Sequence, residues 1–174
     1  MFKTVLVAVD GSSHAQKALA AAAEIAVKFR ARVVLVHTLL RDQAPEDLRR
    51  IPEMKGLSKA LRAELLRIER MPVSLAAMGA GDVHIPVPRE VLEGLGQQIL
   101  KNARAVVTRK GVKNVTTKLE SGDPATRLLA RAKSERANLI VLGSRGFGRL
   151  KGILMGSVSQ KVGQLATCAC LTVK

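Results

Sequence analysis

Short β-branched apolar runs alternate with helical patterns along the chain, and this constrains the fold more than any other feature. Lys3 to Val9 (KTVLVAV) is followed by Asp10-Gly11-Ser12-Ser13 and a long Ala-rich stretch. There Ala15, Leu19, Ala22, Ala23, Ala26 and Phe29 recur at helical spacing, with Lys17, Glu24 and Lys28 opposite. Ser12 or Ser13 caps that helix, which puts a positive dipole end beside Asp10. A second run, Arg32 to Thr38 (RVVLVHT), follows almost at once. Strands apolar on both faces and joined by a helix belong to a parallel sheet covered on both sides.

The alternation lapses from about Arg41 to Pro88, where Pro45, Pro52, Pro72, Pro86 and Pro88 punctuate the chain. Within this insert Leu57, Leu61, Leu65 and Ile68 mark one amphipathic helix. A connection of this length is functional or mobile more often than not. Regularity then returns. A helix runs from Arg89 to about Lys110 with Leu92, Leu95, Ile99, Ala103 and Val106 on one face, and the more polar strand Asn114 to Glu120 reads as lying nearer an edge. Asp123-Pro124 is an N-cap with proline at the first helical position, opening a helix with Ala125, Leu128, Leu129 and Ala132 inward. Leu139 to Leu142 is a fourth strand, and a last helix after Gly156-Ser157 leads to a fifth from about Cys168 to Val173. The order predicts one doubly wound, Rossmann-like α/β domain over residues 1–174, with residues 41–88 as a partly helical insert. At 174 residues the chain is too short for two full domains.

Ligands in such sheets bind at the carboxyl ends of the strands, where strand order reverses. Asp10, Thr38 and the segment Gly143-Ser144-Arg145-Gly146-Phe147-Gly148 all fall at that edge. Gly143, Gly146 and Gly148 permit positive φ and close backbone approach, so their N–H groups could cradle an anion, helped by the helix start near Gly156-Ser157. The glycine spacing matches a P-loop, yet Arg149-Leu150 stands where Lys-Ser/Thr is required; the dinucleotide fingerprint is also lacking after the first strand. His37 ends a buried strand and reads as a packed histidine. Cys168 and Cys170 read as small buried hydrophobes, and no Ser-His-Asp set or metal-ligand spacing is evident.

What the loop does match is Gly-x2-Gly-x9-Gly-Ser, as Gly143, Gly146, Gly156 and Ser157. With the opening VLVAVDGS, Val36-His37, the turn Ser121-Gly122-Asp123-Pro124 and Leu142-Gly143-Ser144-Arg145-Gly146, the chain resembles the universal stress protein family in its ATP-binding branch. The resemblance implies a five-stranded sheet of order 3-2-1-4-5, ATP as ligand (with Mg2+ as a candidate companion) and a homodimer through the last strand. It also implies that Asp10 binds the ribose and that Thr38 lies by the adenine. Leu142 and Gly143 would line the ribose, while Gly146, Gly156, Ser157, Val158 and Ser159 would hold the phosphates. Arg145, Arg149 and Lys151, in or just past the loop, are candidates for a γ-phosphate contact, with a solvated basic loop as the alternative.

The chain carries 29 Lys+Arg against 14 Asp+Glu, a formal +15. Residues 89–174 hold 16 basic and 5 acidic residues, so most of the excess lies in the half with the glycine loop. The leading function is a dimeric, nucleotide-dependent stress-response switch or sensor in the cytoplasm, with an unidentified protein partner. The rivals are a nucleic-acid or polyanion-binding stress protein with a degenerate pocket, and a slow ATPase. All three aromatics are Phe, which argues against base stacking as a main binding mode. No apolar run is long enough to span a bilayer, the N-terminus does not read as a signal peptide, and no membrane partner is expected.

Overall fold

The architecture is that of a computed structural model describing residues 1–40, 48, 56–69, 87–146 and 155–174. The described elements run β1 (Thr4–Ala8), α1 (Ser13–Phe29), β2 (Arg32–Thr38), α2 (Lys59–Glu69), α3 (Arg89–Arg109), β3 (Val115–Glu120), α4 (Pro124–Ser134), β4 (Leu139–Gly143), α5 (Ser157–Leu165) and β5 (Ala169–Val173). All strand pairs are parallel, and the sheet order is β3-β2-β1-β4-β5. The direction of winding reverses between β1 and β4, the expected place for a ligand crevice.

Alternation along the strands divides the core in two. Val5, Val7, Val33, Leu35 and Val141 face one layer with α1 and α3; Leu6, Val34, Val36, Ile140 and Leu142 face the other, with α4 and α5. The helices supply small and branched residues that let them lie close to the sheet: Ala18, Ala22, Ala23 and Ala26 from α1, Leu95 and Ile99 from α3, Ala125 and Leu128 from α4. Each buried leucine-sized side chain contributes about 1.5–3 kcal/mol. Ser12 caps α1 by accepting from the Ala15 N–H at 3.2 Å, and Asp123 caps α4 by accepting from the Thr126 N–H at 2.9 Å.

The insert contributes to this core. Leu48, Leu57, Leu65 and Ile68 are buried, the last two on α2, while Leu61 is half-buried. The insert residues 41–47, 49–55 and 70–86 lie outside the described ones.

Three expectations need correction. Phe29 is exposed at the end of α1 and meets Phe2 edge-on at 5.3 Å between ring centroids, because the layer ends there. Val106 on α3 and Leu129 on α4, by contrast, pack against the core as their spacing predicts, both half-buried, with Val107 the buried neighbour on α3. Cys168 and Cys170 share a face, as their spacing requires, but are half-buried, since β5 is an edge strand with thin cover. Positive φ occurs at Gly11, Gly111 and Gly122 among the described glycines, not at Gly143, Gly146 or Gly156. Gly148 lies outside the described residues.

Candidate functional site

One crevice opens at the carboxyl edge of β1 and β4, and it brings together ten of the twelve candidate ligand contacts singled out from sequence. Asp10 follows β1 and Thr38 ends β2; Leu142 and Gly143 end β4. Arg145 and Gly146 form the next turn. Gly156 caps α5, and Ser157, Val158 and Ser159 are its first turn. The cavity measures about 260 Å³. Its inner walls are apolar, with Val36, Leu40, Pro124 and Leu128 beside Leu142, while the polar groups gather toward the glycine turn.

Close approach, not unusual backbone angles, explains the glycines. A Cβ at Gly146 would lie 2.5 Å from Asp10 Oδ2, and one at Gly143 would lie 2.7 Å from the backbone carbon of His14. Asp10 is itself held, with Oδ1 accepting from the Ser12 N–H at 2.9 Å. That bond leaves Oδ2 directed toward the Gly146 turn. At α5 the cap residue is glycine, with no side chain to cover the helix start. The N–H groups of Ser157, Val158 and Ser159 have no acceptor within the helix, so they present a positive end to the crevice.

Ser144 is the residue that sequence reasoning passed over. It is buried; its N–H donates to the Val173 carbonyl and its carbonyl accepts from the Gly156 N–H, both at 2.7 Å. The Ser159 hydroxyl donates toward the Ser144 and Gly156 carbonyls at 3.0 and 2.8 Å. Ser144 thus ties β5, the glycine turn and α5 together, and Ser159 spends its hydroxyl hydrogen on the same hub. Only its place between Gly143 and Arg145 hinted at this. Val36, Leu40, Pro124 and Leu128 also join the wall. The helical spacing of Leu128 predicts a core position, and nothing local marks such residues as ligand-facing.

His37 is packed, as expected. Its Nδ1–H donates to the Val9 carbonyl at 2.7 Å, which fixes the tautomer. Burial lowers its pKa, partly offset by that carbonyl and by Asp10. Burial pushes the Cys168 and Cys170 thiols up, away from reactive thiolates. Arg149 and Lys151 lie outside the described residues, and no group of three or more His, Cys, Asp or Glu that could hold a metal occurs among the described ones. No described helix is long and apolar enough to cross a membrane.

Fold and site together define a class: a doubly wound parallel α/β protein with a crevice at its switch point. The universal stress protein family profile matches residues 1–174, and the chain belongs to that family. It is 32% identical over 179 residues to the universal stress protein YxiE of Bacillus subtilis (strain 168), covering 100% of both chains. In structure it is similar to universal stress protein UspA from Lactobacillus plantarum, with a TM-score of 0.65 and 20% identity over 99% of this chain and 98% of that one. It is also similar to a universal stress protein from Archaeoglobus fulgidus in complex with dAMP, with a TM-score of 0.60 and 20% identity over 100% of this chain and 98% of that one.

Proposed function

We propose that this universal stress protein binds ATP in the β1/β4 crevice and acts in the cytoplasm as a dimeric, nucleotide-dependent stress-response switch or sensor. The observation that carries the reading is the meeting, in one crevice, of a half-buried carboxylate, an apolar wall and an uncapped helix start. These suit the three parts of an adenine nucleotide. Asp10 accepts from ribose hydroxyls, the apolar wall and the Thr38 backbone take the base, and Leu142 and Gly143 flank the sugar. Gly146, Gly156 and the N–H groups of residues 157–159 receive phosphate, with Arg145 at the mouth as a charge partner. A related family member is in complex with dAMP, which supports an adenine nucleotide as the ligand class. Asp10 is the carboxylate at hand, so Mg2+ would be held mainly by the phosphates of the ligand.

Dimerisation through β5 is supported by its place at the sheet edge, where its outer backbone groups are unpaired within the described chain. In this reading the insert, which follows β2, is the segment that meets a protein partner. Among the described residues nothing in the crevice favours rapid hydrolysis; slow phosphoryl transfer needs only positioning and charge.

Mass spectrometry of small molecules released from the purified, denatured protein tests the reading. An adenine nucleotide, or saturable uptake of added ATP, is expected. Absence of both overturns it.

A further inference from the structure

The sheet edge opposite the crevice carries an unusual charge pattern. Every helix before a strand delivers its C-terminus there, and backbone bonds set the connections side by side. The Val33 N–H donates to Asn114, the Arg32 N–H to Lys3, and the Asn138 N–H to Thr4. Across these neighbours stand Lys3, Lys28, Arg30, Lys113, Lys133 and Arg136, all exposed and with no carboxylate within ion-pair distance among the described residues. The acidic groups at this edge are occupied, Glu24 by Lys110 and Glu135 by Arg32 with Lys118 and Arg131. With neighbouring strands about 4.8 Å apart, the row from β3 to β4 spans about 14 Å.

Two features exceed what helix dipoles explain. Cations in a last turn, such as Lys28 and Lys133, oppose the negative helix end. Arg30 and Arg136, however, adopt left-handed backbone at φ 52° and 49°, in helix-ending positions that favour glycine; the corresponding turn after α3 uses Gly111. Arginine is thus kept where the backbone disfavours it. Exposed apolar side chains also gather here: Val27 and Phe29 at the end of α1, Leu165 at the end of α5, and Met1, so that among the described residues only Met155 of the exposed large hydrophobics lies elsewhere. Beside Leu165 an apolar cavity of about 250 Å³ opens, with Leu129, Ala132, Ala137, Cys168 and Lys133 in its wall.

We propose that this edge docks peripherally on an anionic lipid surface. Cations interspersed with exposed apolar side chains are what such a surface selects, headgroup phosphates pairing with Lys and Arg while the apolar groups enter the acyl boundary. A nucleic acid backbone would use the cations but leave Leu165, Val27 and the cavity without a role. Docking differs from spanning, so it is compatible with the lack of long apolar runs. It does not rest on the nucleotide reading, because the two sites lie at opposite ends of the strands.

The test is co-sedimentation of the full chain with vesicles of phosphatidylcholine alone or mixed with phosphatidylglycerol, at low and high salt, alongside retention of a DNA duplex. Salt-sensitive partition onto the anionic vesicles only is expected. Arg30→Gly with Arg136→Gly should weaken it roughly 30-fold. Because glycine relieves both left-handed positions, this variant should unfold no more readily than wild type. Leu165→Ser should weaken partition at high salt as well. Absence of partition, equal partition onto neutral vesicles, an unaffected double variant, or DNA retention without vesicle binding would overturn the proposal.

Discussion

Asp10 and Gly146 form the tightest pair in the crevice, since any side chain at Gly146 would meet the carboxylate at 2.5 Å. Gly146→Ala should therefore displace Asp10 and weaken nucleotide binding about tenfold or more, while thermal stability changes little, because the contact lies at an open cavity. Calorimetric titration with ATP beside a melting curve separates the two effects. Gly143→Ala should behave differently. Its added carbon would strike the His14 and Ala15 backbone, which cannot yield cheaply, so a stability loss of about 1–3 kcal/mol is expected in denaturant titration. His37 supplies a pH dependence. Its pKa is lowered in the fold, so the unfolded chain takes up a proton near pH 6.5 that the folded chain refuses. The contribution is therefore fully present above about pH 6.5 and declines as pH falls below it. Comparing urea midpoints at pH 7.5 and 5.5 should show a smaller drop in His37→Gln than in wild type.

At the level of elements, α2 is the informative case. Leu65 is fully buried and Ile68 nearly so, so the insert helix belongs to the core it packs against. Leu65→Ala should cost about 2–5 kcal/mol, as a core truncation does; a loss below 0.5 kcal/mol, an order expected of surface changes, would mean the helix is detachable. The N-cap of α4 joins two elements beside the crevice, since Lys161 of α5 donates to Asp123 at 2.9 Å. Hydrogen bonds from Thr126 and Lys161 hold the Asp123 carboxyl down at about 2. A lowered carboxylate stabilises the fold above its unfolded pKa near 3.8, and the gain fades as pH falls toward 2. Asp123→Ala should lower stability by about 1 kcal/mol at neutral pH and by progressively less between pH 4 and 2. The element order was readable because period-2 and period-3.6 apolar patterns, caps and prolines are local. The half-burial of Cys168 and Cys170 was not, because it depends on which strand ends at an edge. The glycine turn was readable as a site but not in its geometry, since the contacts that exclude a side chain at Gly143 and Gly146 come from residues more than 100 positions away.

Across the whole molecule, charge and crevice separate. The formal +15 points toward anions in general, and the half of the chain with the glycine loop holds most of it. In the fold Lys3, Lys28, Arg30, Lys113, Lys133 and Arg136 stand at the far edge, while the crevice draws on backbone N–H groups and Arg145. No linear count of charge could reveal this, because the parallel topology gathers residues as distant as Lys3 and Arg136. The central claim concerns the crevice, and one titration tests it most directly: ATP into wild type and into Asp10→Ala, followed by calorimetry. Saturable binding near one nucleotide per chain, weakened about tenfold or more by loss of a charged acceptor for the ribose, is the predicted result. No binding to wild type, or equal affinity in both proteins, would contradict it.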